Sequence, residues 1–228
     1  NYPKSLDLDA ILNALKKSPF KSDVEWTEKN RRAQPTSGKK SSTAHPPIHP
    51  AGAANPSMMD EQSWKVYELV VRRFLATLSP DARWKTLKIM CDAGGEEYTS
   101  TGQRLEVEGY RHVYGYSQAK EQILPEMSVG DRLPVNKIVL EDKETLPPAR
   151  YSQSKLIQQM EELGLGTKST RHDVIGKLVS RRYVEENPLK PTLVGKAVTE
   201  TLEEYASLIT KPDMTQTLER HMEDIKKG

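Results

Sequence analysis

The sequence has little cysteine, few apolar residues and no long hydrophobic run. Its 228 residues include one cysteine, Cys91, which cannot form an internal disulfide or build a structural zinc site by itself. The densest apolar stretch, residues 66–75, is interrupted by three charged side chains, so we predict no membrane-spanning helix. These absences predict a protein of a reducing compartment, the cytoplasm.

Composition and charge limit the kind of fold. The apolar fraction is 36%, below the usual ~45–50%, which predicts small separate cores in one to three domains. The 13 glycines and 15 prolines are average usage and exclude global disorder or a collagen-like repeat. The first residues contain neither an initiator methionine nor a signal core, and the last lie in a helical pattern. We therefore expect a piece of a longer protein.

The first 80 residues predict two helices separated by a long loop. Apolar side chains recur at helical spacing over residues 8–15 and again over residues 64–78. Ser5 or Asp7 is placed to cap the first helix, and residues 57–60 open the second. No periodicity is evident over residues 20–59, so we expect a functional or mobile loop there.

The next segment, residues 82–146, predicts antiparallel sheet. Apolar and polar residues alternate over residues 87–92, and Gly94-Gly95 is typical of a hairpin turn. We expect another turn over residues 99–102 and a further strand over residues 132–140.

The last third is helical again. We expect a helix capped by Ser152, a second capped by Ser169 or Thr170, a small hairpin over residues 183–192 and two further helices. This order is typical of a helix-turn-helix with a wing. The predicted fold is therefore α+β and multidomain: a helical segment with a long loop, an antiparallel β arch and a winged-helix-like helical domain.

The start of the second of these helices is a candidate anion site. Free backbone N–H groups and the helix dipole attract negative charge there, and hydroxyl and basic side chains surround it. These are Lys168, Ser169, Thr170, Arg171 and, about three turns further on, Arg181. The alternative is an ordinary capped helix with solvated basic residues.

The run His-Pro-Pro-Ile-His-Pro, residues 45–50, is a second candidate. Its prolines prevent the helix that would bring both histidines to one face, and no third ligand lies near in sequence, so a metal site is disfavoured. A histidine on a proline-stiffened loop suits phosphate contact or acid–base chemistry near neutral pH. A purely structural loop is the alternative.

Four ordered stretches resemble the type IA DNA topoisomerases. They are Leu146-Pro-Pro-Ala-Arg-Tyr-Ser152, Leu163-Gly-Leu-Gly-Thr-Lys-Ser-Thr170, Arg181-Arg-Tyr-Val184 and Pro191-Thr-Leu-Val-Gly195. Ala44-His-Pro-Pro-Ile-His-Pro50 is similar to a further motif of that family, in its archaeal form. The departures are Gln153 for a common Glu, Thr167-Lys168 for a common Arg-Pro and Arg182 for the usual Gly.

The resemblance implies a domain organisation and a chemistry. Residues 1–80 would complete the domain that carries the nucleophile, residues 81–146 would form the β arch around the DNA gate, and residues 147–228 would form a winged-helix-like domain for single-stranded DNA. In this family a tyrosine cleaves one strand through a 5′-phosphotyrosine link, the other strand passes and the break is resealed, which relaxes negative supercoils. The Tyr-x-Arg-Thr-Asp motif of that tyrosine is not in this sequence, so Tyr2 is not the nucleophile.

The resemblance also implies site residues, a cofactor and partners. His45 would assist catalysis by contacting a phosphate, and Mg²⁺ would be bound by the parent enzyme outside this chain. The DNA-binding residues would be Lys168, Ser169, Thr170, Arg171 and Arg181. We expect single-stranded DNA as partner, a cytoplasmic, nucleoid-associated parent, no activity in the isolated chain, and self-association through its uncovered surfaces.

Two other classes of protein stay open. A winged helix-turn-helix regulator would use residues 170–182 to read a duplex of defined sequence. A non-catalytic scaffold would use the long loop for docking and would show no salt-sensitive DNA binding.

Overall fold

The structure is a computed structural model, and it describes residues 2–3, 5–38, 47–116 and 119–227. It divides into two compact units, Asn1–Pro134 and Val135–Gly228. In the first unit the described elements are α1 (Leu8–Leu15), α2 (Lys21–Asn30), α3 (Glu61–Leu78), β1 (Arg83–Ala93) and β2 (Glu96–Val107). In the second they are α4 (Gln153–Glu162), α5 (Arg171–Ser180), β3 (Val184–Glu185), β4 (Lys190–Pro191), α6 (Leu193–Tyr205), α7 (Ser207–Thr210) and α8 (Pro212–Lys227).

The two helices predicted in the first unit are confirmed as α1 and α3. Asp7 caps α1 by accepting a hydrogen bond from the Ala10 N–H at 2.9 Å. Asp60 caps α3 by accepting from the Ser63 N–H at 2.9 Å and the Ser63 hydroxyl at 2.6 Å. These hydrogen bonds, the hydroxyl of Ser63 first, hold the pKa of Asp60 below its usual value because they favour the carboxylate. The predicted apolar stripes form the core of this unit.

The prediction that no helix lies within residues 20–59 is wrong. Helix α2 spans Lys21–Asn30 and buries Val24 and Thr27. The Thr27 hydroxyl is satisfied by donating to the Asp23 carbonyl oxygen at 2.8 Å. With one apolar and one polar residue on its buried side, α2 lacks the apolar repeat that would reveal it.

Arg72 ties α3 to its neighbours in the first unit. Its guanidinium donates to the Glu68 carboxylate at 2.7 Å, to Asp23 at 3.1 Å and to the Val113 carbonyl oxygen at 3.2 Å. Burial acts to lower the pKa of Arg72, but the hydrogen bond to Glu68 and the two carboxylate charges outweigh it and raise that pKa. The arginine therefore stays charged inside the helical cluster.

Strands β1 and β2 form a long antiparallel ribbon. Gly94 and Gly95 make the turn with φ of 70° and 92°, values that favour glycine, and this predicted turn is confirmed. The second turn predicted over residues 99–102 is wrong, since β2 runs straight through it with Gly102 opposite Leu87.

Gly102 is needed for a close approach. A Cβ at this position would lie 2.5 Å from the Gln122 carbonyl oxygen and 2.6 Å from Leu124 Cγ. Gln103 and Gln122 exchange two backbone hydrogen bonds of 2.8 and 2.9 Å beside it. Glycine is needed here because the segment that contains Gln122 and Leu124 packs against β2, and not because the chain turns.

The strand predicted over residues 132–140 does not form in the structure. Its apolar side chains are exposed, with Leu140 at 90%, and no strand of the described chain pairs with it. Alternation alone cannot make a strand, because the backbone groups need a partner. The predicted sheet of residues 82–146 is thus a two-stranded ribbon.

The second unit follows the predicted order. Ser152 caps α4 by accepting from the Lys155 N–H at 3.2 Å, and β3 pairs with β4 as an antiparallel hairpin. The short helix α7 lies between the two predicted last helices. No helix in the described residues is long and apolar enough to cross a membrane.

Candidate nucleic-acid interface

Three exposed hydroxyl groups cluster where α5 begins. The Thr167 N–H donates to Thr170 Oγ1 at 2.9 Å. Thr167 Oγ1 lies 3.0 Å from Ser169 Oγ and 3.1 Å from Thr170 Oγ1. These contacts hold residues 167–170 in a turn. The turn is followed by the first N–H groups of α5, which have no acceptor within the helix. The predicted residues Ser169 and Thr170 therefore lie together at an exposed helix start.

The Arg171 side chain stabilises this loop through two hydrogen bonds to its backbone. Its Nε donates to the Leu165 carbonyl oxygen and its Nη2 to the Gly166 carbonyl oxygen, both at 2.9 Å. The side chain is half-buried, whereas Lys168 next to it is exposed. DNA contact by Arg171 stays a prediction, and the structure gives its guanidinium a bracing role that spacing alone does not reveal.

Arg181 lies at the other end of α5. The helix has ten residues and is therefore about 15 Å long, so Arg181 lies well apart from the hydroxyl cluster at its start. The Arg181 residue is exposed, and its backbone N–H donates to the Lys177 carbonyl oxygen at 3.0 Å. The next residue, Arg182, has a φ of 59°. This left-handed conformation gives a physical reason for the glycine that the resembling family has there.

A joint built from Thr192 and Gly195 fixes the end of α5 against α6. The Thr192 hydroxyl donates to the Arg182 carbonyl oxygen at 2.6 Å and accepts from the Gly195 N–H at 3.0 Å. The Thr192 N–H donates to the Tyr183 carbonyl oxygen at 3.0 Å. A Cβ on Gly195 would lie 2.2 Å from that oxygen. A threonine cap followed three residues later by glycine is the sequence signal for this joint.

His45, predicted to contact a phosphate, lies outside the described residues. The neighbouring segment is held to α3: the Tyr67 hydroxyl donates to the Gly52 carbonyl oxygen at 2.7 Å and accepts from the Ala54 N–H at 3.1 Å. Burial raises the pKa of Tyr67. His49 Nδ1 lies 2.8 Å from the Pro47 carbonyl oxygen. The described residues contain no group of three or more histidine, cysteine or acidic side chains arranged for a metal ion.

Comparison with known proteins identifies the family. The DNA topoisomerase family profile matches residues 1–228, and the chain belongs to that family. It is 44% identical to DNA topoisomerase 1 of Archaeoglobus fulgidus, covering 100% of this chain and 34% of that protein. It is 30% identical to DNA topoisomerase 3 of Caenorhabditis elegans, covering 100% of this chain and 30% of that protein. The resemblance to type IA topoisomerases is thus confirmed.

A solved structure supports the fold. The full-length topoisomerase I from Thermotoga maritima superimposes with a TM-score of 0.60 at 23% identity, over 75% of this chain and 30% of that one. The chain spans about a third of the length of the curated relatives that it matches. These findings favour the topoisomerase family over a helix-turn-helix regulator.

Proposed function

We propose that this chain is the central part of a type IA DNA topoisomerase that cleaves one strand through a 5′-phosphotyrosine link, passes the other strand and reseals. The family match over the whole chain carries this proposal. The nucleophilic tyrosine and the Mg²⁺ site would be supplied by other parts of the parent enzyme, which would act on the nucleoid in the cytoplasm. The purified chain should then fail to relax negatively supercoiled plasmid with Mg²⁺. Relaxation by the chain alone would contradict the proposal.

Within this function, α5 would bind the backbone of a single strand. The supporting observation is the cluster of exposed hydroxyls at its start, with Lys168 beside it and Arg181 at the far end. Hydroxyl groups, backbone N–H groups and cations contact phosphates without reading bases. Arg171 would orient the loop, and any of its remaining N–H groups could add a phosphate contact.

Salt dependence of binding tests this interface. Affinity for unrelated single-stranded oligonucleotides should be similar, and log K should fall with log salt by about 0.7 per neutralised phosphate. Arg181→Ala should lower affinity for all of them and flatten the slope by about one contact. Lys155→Ala is the matched control, since it removes an exposed cation of α4 whose ammonium bonds Gln158. Selective loss at one base of a duplex would favour the regulator instead, and salt-insensitive behaviour would favour a scaffold.

His45 would contact a phosphate near the cleaved bond. The proposal is supported by the Ala-His-x-x-Ile-x-Pro motif within a chain that belongs to the family. In the full-length enzyme, His45→Ala should slow strand cleavage while leaving the melting temperature unchanged. Unchanged cleavage would assign His45 a structural role.

The ribbon of β1 and β2 would be part of the arch around the DNA gate, and residues 147–228 would act as a winged-helix-like domain. In the described residues β1 is hydrogen-bonded to β2 alone, which leaves one edge for another strand. We propose that the isolated chain pairs with a second copy along this edge. Light scattering over a dilution series should show a dimer, and a strict monomer at all concentrations would contradict it.

A further inference from the structure

The first unit contains a cavity of about 420 Å³ beside the C-terminal half of α3. Its volume lies in the range of small-ligand pockets, about 300–1,000 Å³. One cation, hydroxyl groups and two aromatic rings face it. The lining residues that matter are Tyr2, Thr36, Ser37, Arg73, Thr77 and Tyr110.

Arg73 brings a positive charge to this cavity. Its Cζ lies 5.6 Å from the centroid of the Tyr114 ring, which holds the guanidinium without taking up its N–H donors. No carboxylate of the described residues lies within ion-pair distance of it. Arg73 thus differs from Arg72, which is bonded to two carboxylates.

Among the described residues that line the cavity, the one acidic side chain, Asp81, is already paired. Asp81 accepts a hydrogen bond from Arg32 Nη2 at 2.6 Å, so its charge is offset. The Thr77 hydroxyl is also occupied, donating to the Phe74 carbonyl oxygen at 2.7 Å. Thr36 and Ser37 are exposed, and their hydroxyls and that of Tyr110 have no hydrogen-bond partner among the described residues. Arg73 and these hydroxyls are therefore available to donate hydrogen bonds to a ligand rich in acceptor oxygens.

We propose that this cavity binds one nucleotide of a single DNA strand, with the phosphate on Arg73 and the hydroxyls and the base against the Tyr110 ring. The proposal rests on the DNA function proposed above. Guanidinium and hydroxyl donors match phosphate oxygens, and a tyrosine ring stacks with any base. Gly38 and Pro47, which both line the cavity, are the described residues on either side of the segment that carries His45.

Side-chain NMR of arginine in the full chain tests the cavity. Thymidine 5′-monophosphate should shift the Nε–Hε resonance of Arg73. Arg73→Gln should weaken binding of this nucleotide about threefold to fivefold, the scale of one exposed charged contact. Lys65→Gln is the matched control, since it removes a cation of the same helix that pairs with Glu61, and it should leave binding unchanged.

Each contrary result has its own meaning. An Arg73 resonance that the nucleotide does not move overturns the cavity, and this readout needs no variant. Equal shifts and affinity with inorganic phosphate overturn the base contact. Oligothymidylate binding that falls with Arg181→Ala but not with Arg73→Gln overturns the cavity and leaves the α5 interface. The reverse pattern supports the cavity and contradicts the α5 interface.

Discussion

The helical cluster of the first unit and the helices of the second unit differ in how much of their apolar surface is covered. In the first, Leu12, Leu15, Leu75 and Leu78 are fully buried. In the second, Ile175 is buried, whereas Leu193, Leu208 and Ile225 are between 76% and 85% exposed. The first cluster has a core of its own. The second relies on helix caps, the joint of Thr192 and Gly195 and loop hydrogen bonds. Helices with similar apolar repeats are therefore stabilised in different ways in the two units.

The largest expected effect separates the two units. Phe74 is 1% exposed at the centre of the first core, and Phe74→Ala should destabilise it by about 3–5 kcal/mol. Hydrogen exchange should show loss of protection in α1–α3 and little change in α4–α6. Val66→Ala, on an exposed face of the same helix, is the control. Equal loss of protection in both units would mean that they unfold together.

The next effect should fall on the second unit. Thr192→Val removes the cap of α6 and leaves the Arg182 carbonyl oxygen without its donor, which should cost about 1–2 kcal/mol. Thr192→Ser keeps the hydroxyl and should lose much less stability. Protection should decrease in α5 and α6 while α3 is unchanged. A Val variant as stable as the Ser variant would show that the Thr192 hydroxyl does not stabilise this unit.

A smaller change should stabilise the second unit. Arg182 adopts a φ of 59°, and Arg182→Gly relieves that left-handed strain for a gain of about 0.5–1 kcal/mol. Arg182→Ala keeps the strain and should not stabilise. Thermal unfolding of the two variants measures the difference, and an equal gain from alanine would point to removal of charge instead.

The smallest effect is a pH dependence of the first unit. The pKa of Asp60 is lower in the folded state than its ordinary value of 3.8, so its cap contributes stability above about pH 4. That contribution is lost as pH falls through the folded pKa. Asp60→Asn retains a capping oxygen but does not titrate, so it should unfold with a shallower acid dependence. Identical acid profiles would exclude a role for this carboxylate.

Sequence alone determined the features with local causes. Helices α1 and α3 carry their own caps and apolar repeat, and Gly94-Gly95 specifies its hairpin through a backbone conformation that other residues avoid. Helix α5 begins where Ser169 and Thr170 predict it, but the predicted cap is wrong, since the Thr170 hydroxyl accepts from the Thr167 N–H and caps no N–H group of the helix. The family motifs were readable because they are short and ordered along the chain.

Tertiary structure decided the features whose cause lies elsewhere in the chain. Helix α2 has only Val24 and Thr27 on its buried side, and Gly102 makes room for Gln122. Residues 132–140 alternate like a strand but find no partner in the described chain. In each case the residue pattern leaves several outcomes open, and the neighbour that fills or satisfies the group selects one of them.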